Sequence, residues 1–488
     1  MSQMENQMTS QVEKAKMPDY FKRIDELKEN MAEDLKTLVR CPSVVGPPLE
    51  GAPFGPGPAE ALEAMLQIGR REGMTAVSVD GMAGYIEHGS PAEELFGILC
   101  HLDVVPEGNG WTYRAFEPVE EDGRIYGRGT IDDKGPAIAA FYALKALVDC
   151  GYEFKQRVRM IFGLNEETGE ESLQHYKMKE EIPGFSIVPD SDFPVVRAEK
   201  GIMTFDLVKY FGAHRGEGPT IRSIRGGAAA NMVPDQAEAF IDHIKDVPAF
   251  LEHAASFFEN REFAITCETA GEGAVLIKVH GKSAHGSTPW KGINAISILM
   301  ALLRSIECDS TELQEVLDFY DAHIAFDFHG ERLGIDLRDR VSGKLILNAG
   351  MIEMDESVLR LTVNVRIPVT FDDEDVSSGM SALLTENDFM FIKTMYQPPL
   401  YYKEDDPRIL RLMRIYRKHT GDLETMPLVI GGGTYARQIN NAVAFGAMYP
   451  GDEDRMHSAD EYIAVDRLVQ TAKIYAETIY EFAVKQDE

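Results

Sequence analysis

Four glutamates lie close together in the segment LNEETGEES: Glu166, Glu167, Glu170 and Glu171. The segment follows RVRMIFGL, a run whose Val, Ile and Phe content predicts a β-strand. Carboxylates crowded at the end of a strand repel one another, so the segment is either a solvated loop or part of a site that holds positive charge. Surface glutamates are common, and the solvated loop is the simpler interpretation of this segment alone.

Four other segments bring acidic residues or histidine to predicted strand ends. They are HLD with His101 and Asp103, GTIDDKG with Asp132 and Asp133, VPDSD with Asp190 and Asp192, and MHSADE with His457. Open α/β sheets bind ligands at the carboxyl edge of their strands, so we expect these side chains to meet there. Imidazole and carboxylate form a ligand set that Zn²⁺, Mn²⁺ or Co²⁺ accepts. Two such ions would offset the charge of the crowded carboxylates.

The elements expected around these groups alternate between strands and helices. Apolar spacing predicts helices at residues 18–40, 59–72, 136–149, 407–419 and 464–484. The runs LFGILCHLDVV (95–105), RVRMIFGL and FSIVPD predict strands, and the first is apolar enough to be buried on both faces. This alternation predicts an α/β fold with a mainly parallel sheet and helices on both sides.

The pattern changes near Gly201. The runs GIMTFDLVKYFG, GAVLIKVHGKSAH and SVLRLTVNVRIP alternate as half-buried antiparallel strands do, with a helical run, INAISILMALLRSI, among them. The C-terminal part then returns to α/β character. We therefore expect residues 1–200 and 396–488 to form one α/β domain, and residues 201–395 to form an inserted α+β domain.

Composition narrows the class of protein. The 488 residues carry a net charge of −31 with 44% hydrophobic residues, as expected for a large globular protein. This charge argues against nucleic acid and anionic membranes as partners. We find no membrane-spanning run, and MSQMENQMTSQVEKAK at the N-terminus lacks the apolar core of a signal peptide. The scattered cysteines favour reduced, buried thiols and a cytoplasmic location; they are Cys41, Cys100, Cys150, Cys267 and Cys308.

Eight segments in fixed order carry a resemblance to a known family. They are LVRCPSV (38–44), CHLDVVPEG (100–108), GRGTIDDKGP (127–136), LNEETGEES (164–172), VPDSDFP (189–195), GKSAHGSTPWKGINA (281–295), VIGGGTYAR (429–437) and MHSADEY (456–462). With these segments the chain resembles the M20 metallopeptidases, in particular the bacterial PepV-like dipeptidases. The match spans nearly the whole chain, and the GKSAH and GGGTYAR elements point to the PepV-like branch.

The resemblance implies two divalent metal ions, with Zn²⁺ as the first choice and Mn²⁺ or Co²⁺ as alternatives. Asp132 would bridge both ions; His101 and Asp190 would complete one shell, and Glu167 and His457 the other. Asp103 would orient the His101 imidazole, and the Asp132–Asp133 peptide would be cis. Glu166 would be the general base, taking a proton from water and passing it to the leaving amine.

The resemblance also implies that the inserted domain is a lid over a small peptide substrate. His285 and Asn231 would stabilise the oxyanion, Arg366 would bind a free C-terminal carboxylate, and Gly432, Gly433 and Thr434 would line the pocket. A surface-loop histidine and an ordinary strand-surface charge remain the alternatives for His285 and Arg366. We expect Glu170 and Glu171 to serve only solvation or a helix N-terminus, and Asp133 and Asp192 have no assigned role.

These expectations combine into a dinuclear metallopeptidase that hydrolyses dipeptides or other short peptides with a free C-terminus. The long lid favours a monomer, with a homodimer as the alternative. An amidohydrolase of the same fold acting on N-acyl amino acids or succinylated diamino acids would carry the same ligands and is the main rival. A homologue that only captures peptides is a second rival, which the presence of Glu166 and all five ligand positions disfavours.

Overall fold

The computed structural model describes residues 18–91, 93–212, 218–257, 263–306 and 310–485, which form two compact units. The first unit holds the residues up to Arg197, Tyr402–Leu428 and the residues from Thr434 onward; the second holds Ala198–Tyr401 and Val429–Gly433. The expectations for the N-terminal segment and for Cys308 fall outside the described residues.

Secondary structure covers most of both units. The α-helices are α1 (Asp19–Glu26), α2 (Lys28–Val39), α3 (Pro56–Arg71), α4 (Lys134–Asp149), α5 (Glu171–Lys179), α6 (Val247–Phe257), α7 (Ala295–Arg304), α8 (Thr311–His323), α9 (Asp373–Glu386), α10 (Pro407–Thr420) and α11 (Val465–Ile479). Short 3₁₀ helices lie at Pro289–Lys291 and Tyr435–Gln438, and a π-helical turn, Tyr480–Val484, continues α11.

The strands of the first unit and its borders are β1 (Thr75–Val79), β2 (Ala83–His88), β3 (Leu95–His101), β4 (Val119–Glu121), β5 (Arg124–Tyr126), β6 (Arg157–Gly163), β7 (Phe185–Val188), β8 (Ser191–Asp192) and β9 (Val196–Glu199). Those that follow are β10 (Gly201–Tyr210), β11 (Thr220–Gly226), β12 (Gln236–Asp242), β13 (Ala264–Thr269), β14 (Val275–His280), β15 (Arg338–Asp339), β16 (Gly343–Lys344), β17 (Ile346–Met354), β18 (Val358–Ile367) and β19 (Met390–Gln397). The remaining strands are β20 (Leu400–Tyr401), β21 (Leu428–Ile430), β22 (Ala442–Ala444), β23 (Ala447–Met448) and β24 (Tyr462–Ala464).

The first unit is built on a mixed sheet with the strand order β1-β2-β6-β3-β7-β22-β9. Its four middle strands, β6, β3, β7 and β22, are parallel, and the flanking pairs are antiparallel. Every residue of β3 and β6 is buried, as the apolar runs predict for strands covered on both faces. The long helices α4 and α11 pack together, and α4 is buried along most of its length. This confirms the predicted α/β class.

The second unit is an α+β layer built on eight antiparallel strands in the order β13-β14-β12-β11-β17-β18-β10-β19. Apolar side chains from one face of this sheet and from α7 and α8 form its core. Helix α7 begins at Asn294, whose side chain accepts the backbone N–H of Ser297. The antiparallel pairing confirms the pattern that the alternating runs predict after Gly201.

Several local predictions need correction. The predicted helix 18–40 is two helices that break at Leu27 (φ −92°, ψ 3°), while the predicted apolar face stays buried through the break. The strand predicted at 95–105 ends at His101, because the chain turns there into the loop that carries Asp103. Cys150 and Cys267 are only partly buried, since one ends α4 and the other lies on β13, whose residues are largely exposed.

The two compact units divide between Arg197 and Ala198 and between Tyr401 and Tyr402, and the glycine run lies outside its expected domain. The sequence predicted junctions at 200–201 and 395–396 and assigned the glycine run at 431–433 to the first domain. This run groups with the second unit, where the Gly431 carbonyl accepts a hydrogen bond from Arg366 and the Ile430 carbonyl accepts one from the Lys200 N–H.

Candidate metal centre

Five segments of the first unit bring the predicted ligands together. His101 ends β3, Glu166 and Glu167 follow β6, and Asp190 follows β7, so these three segments leave the carboxyl ends of neighbouring parallel strands. Asp132 and His457 do not directly follow a strand, contrary to the prediction. Asp132 lies just before α4, and His457 lies in the loop before β24.

Asp132 lies between two imidazoles. Its Oδ1 is 2.9 Å from His101 Nε2, and its Oδ2 is 3.0 Å from His457 Nε2. His457 Nε2 is also 3.0 Å from Glu167 Oε1. The side chains of Asp132 and Glu167 are almost fully buried and that of His101 is completely buried, whereas His457 is half-exposed. One carboxylate oxygen thus faces each imidazole, which is the arrangement a bridging ligand requires.

Two donor groups overlap at His101, and Asp132 belongs to one of them. Single donor atoms of His101, Asp132 and Glu167 lie within 4.8 Å of one another, and so do those of His101, Glu166 and Asp190. Imidazole nitrogens and carboxylate oxygens are the donors that Zn²⁺, Mn²⁺ and Co²⁺ share. The residues present therefore fit the binding of a divalent ion. Glu166 belongs to one donor group, although the sequence predicted it as a base rather than a ligand.

Asp103 holds this cluster in two ways. The closest partner of His101 Nδ1 is the Asp103 backbone carbonyl at 3.0 Å, while the Asp103 carboxylate is 3.5 Å away. That carboxylate accepts the backbone N–H groups of Glu166 and Glu167 at 3.0 and 3.1 Å. Asp103 is fully buried. It therefore fixes the loop that carries both glutamates, a role that the sequence did not predict.

The charges in this cluster depend on one another. Burial raises the pKa of Asp190 to about 7, and the charge of Asp132 adds to the rise. Burial and the charge of Asp190 raise the pKa of Glu166 well above its usual range. The pKa of Asp132 stays below its usual value, because hydrogen bonds with His101 and His457 outweigh burial. Added positive charge would let all of these carboxyl groups ionise together.

Asp132, Asp133 and Glu171 have different structural features near this cluster. The Asp132–Asp133 peptide is cis, as the resemblance implies. Asp133 Oδ2 accepts the backbone N–H of His101 at 3.1 Å, so a residue left without a role holds the end of β3. Glu171 lies in the first turn of α5, which confirms its predicted place at a helix N-terminus, and its carboxylate accepts a hydrogen bond from Asn165.

The second unit groups His285 with Asn231. The Asn231 carbonyl accepts the N–H of Gly286 at 2.6 Å, and Met232 pairs with His285 in an antiparallel bridge. The Ser287 backbone N–H donates to His285 Nδ1 at 3.2 Å, so the neutral ring carries its proton on Nε2. Partial burial and the nearby charge of Arg366 lower the pKa of His285. The ring is exposed and can donate Nε2–H to a ligand.

Arg366 lies in the same unit but is buried, which excludes the alternative of a strand-surface charge. Its Nε donates to Asn364 Oδ1 at 3.0 Å, and its Nη1 donates to the Gly431 carbonyl at 3.3 Å. Nε is fully used by Asn364, whereas each terminal nitrogen carries two N–H groups, so a bidentate contact with a carboxylate would use the N–H of Nη1 that does not point to Gly431 together with Nη2.

The other predicted pocket residues continue the chain from Gly431. A side chain at Gly432 would meet no atom within 4 Å, and Gly433 is exposed. Thr434 begins the 3₁₀ helix Tyr435–Gln438, and its Oγ1 accepts the Ala436 N–H. Thr434 belongs to the first unit, whereas both glycines belong to the second.

A family model described as "Peptidase family M20/M25/M40" matches residues 97–481, most of the chain. The chain belongs to this peptidase family. This M20 protein is therefore a metallopeptidase, and M20 metallopeptidases use divalent metal ions. Among the described residues of this M20 protein, every helix is too short or too polar to span a lipid bilayer.

Relatives of this M20 protein extend over almost its full length. A Staphylococcus epidermidis protein named "Putative dipeptidase" is 36% identical over 468 residues, covering 95% of this chain and 99% of the relative. Human carnosine dipeptidase 1 shares the fold with a TM-score of 0.53 at 18% identity, covering 94% and 96% of the two chains. Aminoacylhistidine dipeptidase from Vibrio alginolyticus gives a TM-score of 0.55 at 13% identity, covering 93% and 97%.

Proposed function

We propose that this M20 protein is a dinuclear metal-dependent dipeptidase that hydrolyses short peptides with a free C-terminus. The observation that carries the proposal is the position of Asp132, whose two carboxylate oxygens face His101 and His457 separately. Asp190 would complete the shell on the His101 side, and Glu167 the shell on the His457 side. Zn²⁺ is our first choice of ion, with Mn²⁺ and Co²⁺ as alternatives.

When bound, two divalent ions would lower the pKa of the attacking water to about 7 and polarise the scissile carbonyl. Glu166 would take the proton from that water and give it to the nitrogen of the leaving amine. The loop held by Asp103 keeps Glu166 beside Glu167, so proton transfer and ligation use adjacent side chains. Glu166 is partly buried, and in the absence of added positive charge burial and the charge of Asp190 hold the pKa of its carboxyl well above the usual range. Bound cations would lower that pKa and leave Glu166 ionised, as a base must be before it accepts a proton.

The second unit would supply the groups that recognise the peptide. His285, as its Nε2–H tautomer, would donate to the oxyanion together with Asn231. Arg366 would bind the C-terminal carboxylate through its terminal nitrogens, with Gly432, Gly433 and Thr434 lining the pocket. Recognition of a terminal carboxylate would limit the number of residues that can follow the scissile bond. The names of the staphylococcal and Vibrio relatives support a dipeptide substrate.

The proposed setting is a cytoplasmic monomer. The four described cysteines are free thiols, as the reduced cytoplasm requires. The long inserted unit, Ala198–Tyr401, supports a monomer through the resemblance, which implies that one chain supplies all the catalytic groups.

Substrate class is tested by one comparison at equal enzyme concentration. Alanyl-alanine, the tripeptide and pentapeptide extensions of alanine, and N-acetylalanine are assayed with the metal-loaded protein. We expect the dipeptide to be cleaved with the highest kcat/KM. Equal turnover of the tripeptide and pentapeptide would contradict the short-peptide preference, and preferred cleavage of N-acetylalanine would assign the protein to the amidohydrolases of this fold.

A further inference from the structure

A buried ion pair joins two of the loops that carry proposed ligands. Arg128 Nη1 lies 2.7 Å from Glu461 Oε2, and the two side chains are 2% and 1% exposed. The residues are 333 positions apart in the chain. Buried ion pairs seldom add net stability, because removing both charges from water offsets their attraction. Net stabilisation therefore does not account for this pair, whereas positioning of the two loops does.

The pair lies where two strands separate. β5 and β24 are paired through Tyr126 and Tyr462, and the next contact is from the Gly127 N–H to the Glu461 carbonyl at 2.9 Å. Beyond this contact the segment after β5 continues forward to Asp132, and the segment before β24 runs back to His457. Arg128 and Glu461 thus stand at the base of the two loops.

Each member of the pair binds the loop of the other. Glu461 Oε1 accepts the backbone N–H of Ile131 at 2.9 Å, directly before Asp132. Arg128 Nη1 donates to the carbonyl of Ser458 at 3.2 Å, directly after His457. The two side chains therefore fix the backbone beside both residues, in opposite directions across the pair.

Arg128 also reaches a third segment. Its Nη2 donates to the carbonyls of Glu107 and Pro106 at 3.2 and 3.4 Å. These residues belong to the loop that leaves β3 after His101 and Asp103. A guanidinium suits this place, because its rigid fork can serve several acceptors at once, which a lysine ammonium on a flexible stem cannot do in the same geometry.

We propose that Arg128 and Glu461 are positioning residues that set the separation of Asp132 and His457, and thereby the affinity for the ion assigned to Glu167, His457 and the bridging Asp132. The inference rests on the proposed dinuclear site. Neither residue would touch the ion or the substrate. They act through the backbone at Ile131 and Ser458, so a change in the pair should weaken one ion more than the other.

The test measures Co²⁺ binding to the chelator-treated full chain, using visible absorption and competition with a chelator. Wild type is compared with Glu461→Gln and with Arg128→Lys. Arg128→Lys keeps the positive charge, so it still tests the inference if Glu461→Gln folds poorly. We expect both variants to lose about 10–100-fold in affinity for one of two Co²⁺ ions, as changes to groups behind the ligands commonly do. The affinity for the other ion should fall less, because it shares only the bridging Asp132 with the weakened ion. The spectrum of the weakened ion should change as well.

The matched control is Glu87→Gln. It breaks a largely buried pair of the same unit, in which Arg159 Nε lies 2.6 Å from Glu87 Oε2 and which contacts none of the proposed ligands. This control should lower thermal stability while leaving both Co²⁺ affinities at the wild-type values. Two results would overturn this inference and leave the proposed function intact. One is that Arg128→Lys and Glu461→Gln both bind two Co²⁺ ions with wild-type affinities, and the other is that Glu87→Gln loses as much Co²⁺ affinity as they do. Fewer than two ions bound by wild type would overturn the proposed function, and this inference with it.

Discussion

His457 Nε2 lies 3.0 Å from Glu167 Oε1, although the two residues are 290 positions apart in the chain. The contact joins a loop near the C-terminus to the loop after β6, and both side chains also lie beside the Asp132 group. A metal centre requires donor atoms from distant segments to lie close together, whereas a solvated acidic loop does not. For Glu167, the contact favours a site that holds positive charge over a solvated loop.

Replacing His457 with Ala should remove one of two ions. We expect the metal content of the purified protein to fall from about two ions per chain to about one, and kcat/KM to fall by at least about 100-fold. Elemental analysis and dipeptide assays check this. His175→Ala is the control, because His175 pairs with Asp80 on the surface of the same unit. Two retained ions in His457→Ala would exclude His457 as a ligand.

Replacing Glu166 with Gln distinguishes a base from a ligand. If Glu166 moves the proton, kcat should fall by about 10²–10⁴-fold while both ions stay bound. Glu166 shares a donor group with His101 and Asp190, so the opposite outcome is a specific alternative. Loss of one ion in Glu166→Gln would make Glu166 a ligand. The companion variant Glu167→Gln should lose an ion.

Replacing Asp103 with Asn should loosen the glutamate loop. The carboxylate accepts two backbone N–H groups, whereas an amide offers one oxygen and turns its NH₂ group toward the second donor. We expect about 10–100-fold weaker metal binding and a loss of about 1–3 kcal/mol in unfolding free energy. Metal titration and denaturant unfolding measure the two effects. Unchanged metal affinity would show that Asp103 serves stability alone.

Replacing Arg366 with Lys should affect only substrates with a free C-terminal carboxylate. Lysine cannot present two parallel donors, so KM for a dipeptide should rise by about 10–100-fold with little change in kcat. The same dipeptide as its C-terminal amide should be cleaved poorly and equally by both proteins. An equal KM increase for the acid and the amide would contradict recognition of the carboxylate.

Stability should depend on pH through Glu477, which is almost fully buried in the first unit. His419 Nε2 and Lys418 Nζ each lie 2.6 Å from its carboxylate, and these hydrogen bonds outweigh burial and lower its pKa below the ordinary value of 4.5. A depressed folded-state pKa gives stability that is present above pH 4.5 and is lost as the pH falls through the lower folded value. Glu477→Gln should therefore cost about 1.5–3 kcal/mol at pH 7.

The metal-free forms of both proteins are unfolded in urea at pH 7 and at acidic pH. The difference in their unfolding free energies should narrow below pH 4.5. A difference that is constant with pH would show that the Glu477 charge contributes nothing.

The sequence predicted which side chains lie together at the centre better than the backbone contacts that hold them. His101 ends one buried strand and Asp190 follows another, and a period-two or fully apolar pattern predicts such strand ends. The bend at Leu27 was not predictable, because the apolar face continues through it. His457 could be assigned only through its motif, since its loop follows no long strand.

Contacts between distant segments account for most of what was missed. Three such contacts join segments that are separate in the sequence. They are the hydrogen bond from the His101 N–H to Asp133, the hydrogen bonds from the glutamate loop to the Asp103 carboxylate, and the ion pair of Arg128 with Glu461. Periodicity and local propensity carry no information on such contacts, because the sheet order decides which loops become neighbours. Of these contacts, the one made by Asp133 was the easiest to predict, because Asp133 adjoins a predicted ligand.

The most direct test is alanyl-alanine hydrolysis by chelator-treated protein, with Zn²⁺, Mn²⁺ or Co²⁺ added back singly to wild type and to Glu166→Gln. We predict no cleavage without metal, restored cleavage by wild type when about two ions are bound per chain, and almost none by the variant at the same occupancy. Full cleavage by the chelated protein, or equal cleavage by wild type and Glu166→Gln with both ions bound, would contradict a two-metal dipeptidase with Glu166 as its base.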